Sequence, residues 1–503
     1  MRQVSDVLYL HNEDARQRVL DEMLAAGGQQ GDGGRWVAVS TKDGAARFHL
    51  HDDIEQALSV LSGAYYNFLV VDARHGTPQS SSAEASLAHR LATRIHYAAD
   101  PDLRYPLSRM IAILDDDEAI VDSAFALGKL RIGGLLCCPF PDALLTRMIE
   151  LTDPDPGKTA ICLAGGGVEG FLFEVGVMKA INAHLQNRTV NEMDIFCGIS
   201  AGAILAALLA NNTEVDSIEG AFTNPDQTPD VEPVTPSVIY DPHLGEYASR
   251  IWTLAKSAPV RGWSNFISGL LKTVPVGFFR GDGLERFVEA QLTQAGRTND
   301  FRKLKRELYI GATDQDTSAH VVFGDGQWDD VPISRAVRAS AALTPFFEPA
   351  EIKGRYFVDG QYTRTSNFHL AIERGAKLVI IVDPLVPIRV DVPGYVRSKG
   401  GVFAALQALK AVIHSRFMHG FQAAADDHPN VDFVLFRPEG DEMRLLSGSP
   451  MKYNLRLEIL NMAYRCGVRK IQRDFEILRG TFAKHGFELQ RYPRLRTPPR
   501  EVY

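Results

Sequence analysis

Gly198-Ile199-Ser200-Ala201-Gly202 is the stretch on which the reading of this chain turns. An apolar run, Ile195-Phe196-Cys197, leads into it. A helix-forming run, Ala203-Ile204-Leu205-Ala206-Ala207-Leu208-Leu209, leads out. The pattern predicts a strand, a tight turn and a helix, with a serine at the bend. Glycines two residues either side of the serine let the backbone turn sharply without a Cβ clash. The hydroxyl then stands over a helix N-terminus, where unpaired N–H groups and the helix dipole favour negative charge. A tetrahedral oxyanion is stabilised in such a place, which makes Ser200 a candidate nucleophile.

Some thirty residues upstream, Gly165-Gly166-Gly167-Val168-Glu169-Gly170 separates a buried strand, Thr159–Ala164, from a helical run, Phe171–Leu185. The six residues satisfy the dinucleotide pattern G-x-G-x-x-G. The acidic residue that should close the next strand and bind a ribose is absent, because Asp194 precedes that strand and the serine elbow ends it. Consecutive glycines that aim several N–H groups into one concavity suit an oxyanion loop better.

A hydrolytic serine needs a base. In Arg355-Tyr356-Phe357-Val358-Asp359-Gly360-Gln361, Asp359 ends an apolar strand, and Gly360 turns the chain away. The carboxylate is left at the sheet edge. An isolated Asp-Gly is ordinarily a simple turn; a glycine loop, an elbow and a distal Asp-Gly in this order make it a candidate general base. His369 and His184 are the histidines that a triad would draw on. Both fall in helical patterns, where a histidine is more often structural.

With these pieces in place, residues 158 to 390 resemble the patatin-like phospholipases. The resemblance rests on Leu163-Ala164-Gly165-Gly166-Gly167, Gly198-Ile199-Ser200-Ala201-Gly202, Arg338-Ala339-Ser340-Ala341-Ala342, Pro345-Phe346-Phe347-Glu348-Pro349 and Phe357-Val358-Asp359-Gly360. It implies an α/β/α sandwich that hydrolyses lipid esters with a Ser–Asp dyad and no histidine. Ser200 would be the nucleophile and Asp359 its base. Gly165, Gly166 and Gly167 would line the oxyanion hole. The expected reaction is of phospholipase A or lysophospholipase type, with a lipid ester as substrate and no metal or organic cofactor. Two positions depart from the family pattern: Glu169 stands where an arginine usually follows the glycines, and Gln361 replaces a small residue after Asp-Gly. These departures keep a second class open, a non-catalytic signalling or scaffold protein on the same fold.

The Pro/Gly-rich Asp153-Pro154-Asp155-Pro156-Gly157 reads as a linker. It divides a domain over residues 1–152 from one over 158–503, with a core at 158–390 and a helical extension at 391–503. Before the linker, Val7–Leu10, Trp36–Val39, Phe68–Val71, Met110–Leu114 and Leu135–Cys138 read as five strands. Ala15–Ala26, Ile54–Gly63 and Asp142–Leu151 read as helices. That alternation predicts a doubly wound, flavodoxin-like parallel sheet. Over residues 4 to 151 it resembles a response-regulator receiver. Asp72 holds the phosphoacceptor position, but Cys138 replaces the lysine of Lys-Pro-Phe, Asp115 stands where a hydroxyl is expected, and Glu13 and Asp14 come slightly late for the acidic pair. The expected role is regulation or dimerisation without phosphorylation.

The whole chain has 503 residues, 45% of them hydrophobic, enough for more than one core. A net charge of -8 argues against nucleic acid as a partner. Five cysteines without paired spacing read as reduced, and no signal peptide or membrane span is visible, so a cytoplasmic location is expected. The final segment is rich in arginine and reads either as a solvated helix face or as a peripheral contact with anionic headgroups.

Overall fold

A computed structural model describes residues 5–31, 35–40, 45–74, 86–97, 105–116, 120–137, 142–151, 156–223, 230–235, 238, 241, 277–428, 430–440, 442–446 and 454–494. The chain forms two compact units. One comprises residues 1–157, 420–432 and 473–489; the other comprises 158–419, 433–472 and 490–503.

In the first unit, strands β1 (Ser5–His11), β2 (Gln29–Gln30), β3 (Trp36–Ser40), β4 (Ala45–His51), β5 (Phe68–Asp72), β6 (Met110–Ile113) and β7 (Gly134–Leu136) form one sheet of order β2-β3-β4-β1-β5-β6-β7. From β4 to β7 all pairs are parallel, and the helices α1 (Arg16–Ala25), α2 (Ile54–Gly63), α3 (Leu87–His96), α4 (Ile120–Lys129) and α5 (Asp142–Leu151) punctuate the sequence. This is the doubly wound order 2-1-3-4-5. One assignment changes. The second parallel strand is β4, whereas Trp36–Ser40 is an antiparallel addition on its outer side. Alternate burial of Ala46, Phe48 and Leu50 marks β4 as half-covered, unlike β5, which is buried throughout.

Asp72 ends β5, fully buried, but not as an open acceptor. Arg74 donates to it from Nε at 2.9 Å and Nη2 at 2.7 Å, Tyr9 from its hydroxyl at 3.0 Å, and Arg18 lies 3.6 Å away. Arg74 also pairs with Glu22 at 2.8 Å. Glu13 and Asp14 are exposed in a one-turn helix beyond β1. Asp115 follows β6, while Cys138-Pro139-Phe140 lies outside the described residues. A second buried carboxylate, Asp432, accepts from Arg109, from Lys484 at 2.9 Å and from His485 at 2.9 Å. Burial by itself would raise its pKa. The charges of Arg109 and Lys484 and the His485 hydrogen bond overturn that and hold it well below the usual carboxylate range.

The second unit is built on β8 (Lys158–Leu163), β9 (Ile195–Ile199), β10 (Glu307–Asp314), β11 (His320–Phe323), β12 (Ala350–Ile352), β13 (Arg355–Asp359), β14 (Ala376–Val382) and β15 (Asp432–Phe436). Their order is β12-β13-β10-β9-β8-β14-β15, with β11 paired to β10. The centre, β10-β9-β8-β14, is parallel, and the β12-β13 side is antiparallel. Helices α6 (Gly167–His184) and α7 (Ala201–Ala210) are apolar on nearly every side and buried along most of their length, as internal helices must be. Helix α8 (Val215–Thr223) follows. Of the helical extension expected over 391–503, the helix Arg456–Arg473 lies almost wholly in this unit, and Phe475–Lys484 belongs to the first. Cys162 and Cys197 face each other on β8 and β9 as buried free thiols. Among the described residues no helix is long and apolar enough to cross a membrane.

Much of the positive charge of the C-terminal segment is already paired. Arg469 bonds Glu442, Arg473 bonds Asp474, Arg479 bonds Glu476, and Arg494 bonds the Gln186 carbonyl. Arg496 and Arg500 lie outside the described residues.

Candidate active site

Ser200 sits between β9 and α7 with φ 55° and ψ −122°. Such a conformation costs a non-glycine residue about 1–3 kcal/mol and persists only when its surroundings impose it. Those surroundings are identifiable. The Ser200 N–H donates to Ser340 Oγ at 2.8 Å, and that hydroxyl donates in turn to the Gly311 carbonyl of β10 at 2.6 Å. The two glycines of the elbow are needed for close approach rather than for unusual dihedrals. A Cβ at Gly202 would lie 2.4 Å from the Ala164 carbonyl oxygen, and one at Gly198 would lie 2.5 Å from Ala203 Cα. Cβ-bearing residues would push α7 off the sheet.

Asp359 ends β13 and is 1% exposed. Its N–H donates to the Ala342 carbonyl at 3.0 Å, so the helix Ile333–Ser340 and the two residues after it hold both Ser200 and Asp359. The carboxyl accepts the Gln361 N–H at 2.9 Å, and the Ser200 side chain lies close enough to favour its charged form. Burial pushes its pKa up to about 7, against the lowering effect of the Ser200 side chain and the Gln361 N–H. No histidine contributes to that balance.

The glycines precede and begin α6, with Gly166 as N-cap and Gly167 as the first helical residue. N–H groups of a first helical turn have no partner within the helix, so this loop presents donors beside Ser200. Glu169 lies in the same turn, buried rather than at the surface. Both histidines weighed from the sequence are elsewhere: His184 Nδ1 bonds the Ala180 carbonyl within α6, and the His369 ring packs on Phe368.

One polar residue was not anticipated. His320, on β11, bonds Thr363 Oγ1 at 2.8 Å. Thr363 Oγ1 meets Thr313 Oγ1 at 2.9 Å, and Thr313 donates to the Asp359 carbonyl oxygen at 3.0 Å. Burial pushes His320 down to about 4, so its ring is neutral at physiological pH. No motif marks this chain of groups, because it exists only through the β10–β11 and β10–β13 pairings.

Ser200 opens onto an apolar cavity with about 910 Å³ of empty space, including its open mouth. Ile204 and Leu208 line it at one and two turns beyond Ser200 on α7, with Phe171, Phe222, Phe287 and Phe346 around them. Trp252, Trp263 and Phe266, aromatic residues of the stretch between α8 and Phe278, lie outside the described residues. Phe278 and Phe279 are held against the 345–348 segment by hydrogen bonds to the Pro345 and Phe346 carbonyls.

A strained serine, a buried carboxyl and a glycine-led helix at an apolar cavity coincide with a match to a known family over residues 161–372. Those residues are a patatin-like phospholipase domain. That family comprises lipid acyl hydrolases. Over 87 residues the chain is 39% identical to a cUMP-AMP-activated phospholipase of Escherichia coli, covering 16% of this chain and 24% of that protein. The chain thus spans about a quarter of that relative's length. VipD of Legionella pneumophila aligns at 14% identity and TM-score 0.30, over 63% of this chain and 67% of VipD. The receiver domain of a Pseudomonas aeruginosa sensor histidine kinase aligns at 16% identity and TM-score 0.19, over 29% of this chain and 96% of that domain.

Proposed function

We propose that the patatin-like domain hydrolyses an acyl ester of a phospholipid or lysophospholipid, with Ser200 as nucleophile and Asp359 as general base. The observation that carries this reading is the buried Asp359 carboxyl, its pKa raised to about 7 by burial and lowered by the neighbouring Ser200 side chain, where Ser200 itself lines an apolar cavity. A base with a pKa near the working pH accepts a proton and releases it again.

In the first step the Ser200 Oγ–H bond breaks, the proton goes to Asp359, and Oγ bonds the ester carbonyl carbon. The carbonyl oxygen becomes an oxyanion facing the N–H groups at the start of α6. Collapse of the intermediate expels the alcohol portion of the lipid, which takes the proton from Asp359. Water then attacks the acyl-serine, again through Asp359, releasing the fatty acid and restoring the hydroxyl. Ile204, Leu208, Phe171 and Phe346 offer the acyl chain an environment it prefers to water.

A fluorophosphonate probe and a panel of phospholipids and lysophospholipids, applied to the wild type and Ser200→Ala, test this reading. Labelling and hydrolysis that both vanish in a folded Ser200→Ala protein are expected. A wild type that takes up no probe and cleaves no lipid would leave a non-catalytic scaffold as the better account.

A further inference from the structure

The backbone N–H of Gln361 holds the Asp359 carboxyl, and its side chain has no task in the steps of hydrolysis. That side chain occupies an unusual position. Gln361 is 5% exposed, in the one-turn helix Gly360–Tyr362 that begins at Asp359. Its main chain is pinned at both ends. The N–H donates to Asp359 at 2.9 Å, and the carbonyl accepts from Arg416 Nη2 at 2.6 Å. The amide nitrogen Nε2 is buried, and no hydrogen-bond acceptor meets it. A methyl group placed on Gly165 would come 2.4 Å from Nε2, 2.7 Å from Cδ and 2.6 Å from Ser200 Cβ. The amide and the nucleophile therefore flank one face of the first glycine of the loop.

An unpartnered buried donor is costly, and it persists where a partner arrives during function. The group that arrives between Ser200 and the glycine loop is the ester carbonyl, whose oxygen gains a full negative charge when Ser200 attacks. Resting on the proposed function, we propose that Gln361 Nε2 donates a hydrogen bond to that oxyanion, as a side-chain member of the oxyanion hole beside the α6 N–H groups. A donor that finds its acceptor only when charge develops stabilises the transition state and not the bound substrate. It also accounts for a glutamine at a position where a small side chain would supply no donor.

The test compares wild type with Gln361→Met, which keeps the length and removes the N–H, and with Gln361→Gly should the first variant fail to fold. Four quantities are read: thermal midpoint, kcat and KM on the best lipid of the panel, and inhibition by two ligands. One ligand is a trifluoromethyl ketone, which forms a tetrahedral oxyanion on serine; the other is the product fatty acid, which does not. The expected result is a kcat lower by about 10²-fold, a KM and a fatty-acid affinity within about threefold of wild type, and a trifluoromethyl ketone weakened by the same factor as kcat. An unchanged kcat overturns the proposal. So does a loss in which ketone and fatty acid weaken together, since that marks Gln361 as packing for Gly165. A wild type that is neither labelled nor active refutes the acyl-hydrolase reading itself, and the oxyanion role with it. A labelled, active wild type with an unaffected Gln361→Met refutes the oxyanion role alone.

Discussion

The Ser200 N–H donates to the Ser340 hydroxyl at 2.8 Å, and the same hydroxyl donates to the Gly311 carbonyl at 2.6 Å. One side chain, 140 residues away in sequence, therefore satisfies the backbone of the elbow where it is most strained. It also occupies the nucleophile's own N–H, so oxyanion stabilisation falls to other donors.

Ser340→Ala leaves a buried N–H and a buried carbonyl without partners. The expected cost is about 1–3 kcal/mol of stability, and kcat falls about 10- to 100-fold because Oγ loses its fixed direction. KM stays close to wild type, since Ser340 is not among the residues lining the cavity. Denaturant titration and steady-state kinetics check this. A variant with unchanged kcat would show that β9 and α7 hold the elbow unaided.

Asp359→Asn cannot accept the Ser200 proton, and a loss of several orders of magnitude in kcat is expected. His369→Ala, His184→Ala and His320→Ala should each retain most of the rate, because none of them bonds Ser200 or the Asp359 carboxyl. In the wild type, kcat/KM should climb as pH approaches about 7 and level off above it, following ionisation of Asp359. A bell shape tied to a histidine variant would point to a different base.

The same carboxyl costs stability at neutral pH. Its folded pKa of about 7 exceeds the ordinary 3.8, so between these values the folded protein holds a proton that the unfolded chain has released. Its contribution therefore declines as pH rises from about 4 to about 7 and is constant above. Asp383, raised by burial to about 6, acts in the same direction. Asp432 acts in the opposite one: its depressed pKa gives stability that is present above about pH 4 and lost below. Asp359→Asn should accordingly melt higher than wild type at pH 8, with the gap closing toward pH 4. Equal gaps at both pH values in calorimetry would contradict the burial of an ionisable group there.

Leu208 lines the cavity two turns of α7 beyond Ser200. Leu208→Trp should fill its depth and shift preference toward short acyl esters, by about tenfold or more in relative kcat/KM, a hydrophobic pocket discriminating by roughly 10- to 200-fold per methylene. Competition between short- and long-chain p-nitrophenyl esters reads the ratio. An unaltered chain-length profile would place the acyl chain elsewhere.

Asp72 should resist phosphorylation by small phosphodonors. Arg74 occupies its carboxylate through its backbone N–H and two guanidinium hydrogen bonds, and Tyr9 adds a fourth. An incoming phosphoryl group would have to displace a charge-paired network that also engages Glu22. Phosphate-affinity electrophoresis after acetyl phosphate treatment, with Asp72→Ala as control, should show no shift. An Asp72-dependent shift would make this unit a working receiver.

Local patterning was enough for the elbow, the glycine loop, the Asp-Gly corner and most of the first sheet. Strand–turn–helix boundaries depend on neighbouring residues, and buried parallel strands are continuous apolar runs that need no partner to be recognised. The same dependence explains the miss at the first sheet. Trp36–Ser40 and Ala45–His51 both carry strand composition, and only the parallel pairing of β4 with β1 makes the latter the second strand. Roles that depend on long-range pairing left no local trace. Ser340 belongs to a stretch that carries the family resemblance, but its bond to Gly311 exists only once β10 lies beneath it, and His320, which no motif marks, gains its partner only when β13 folds against β10. The ionisation of Asp359 belongs to that second class as well. Aspartate is acidic in any extended chain, and only enclosure by β10, β13 and the helix Ile333–Ser340 removes the water that would keep it charged, raising it to about 7.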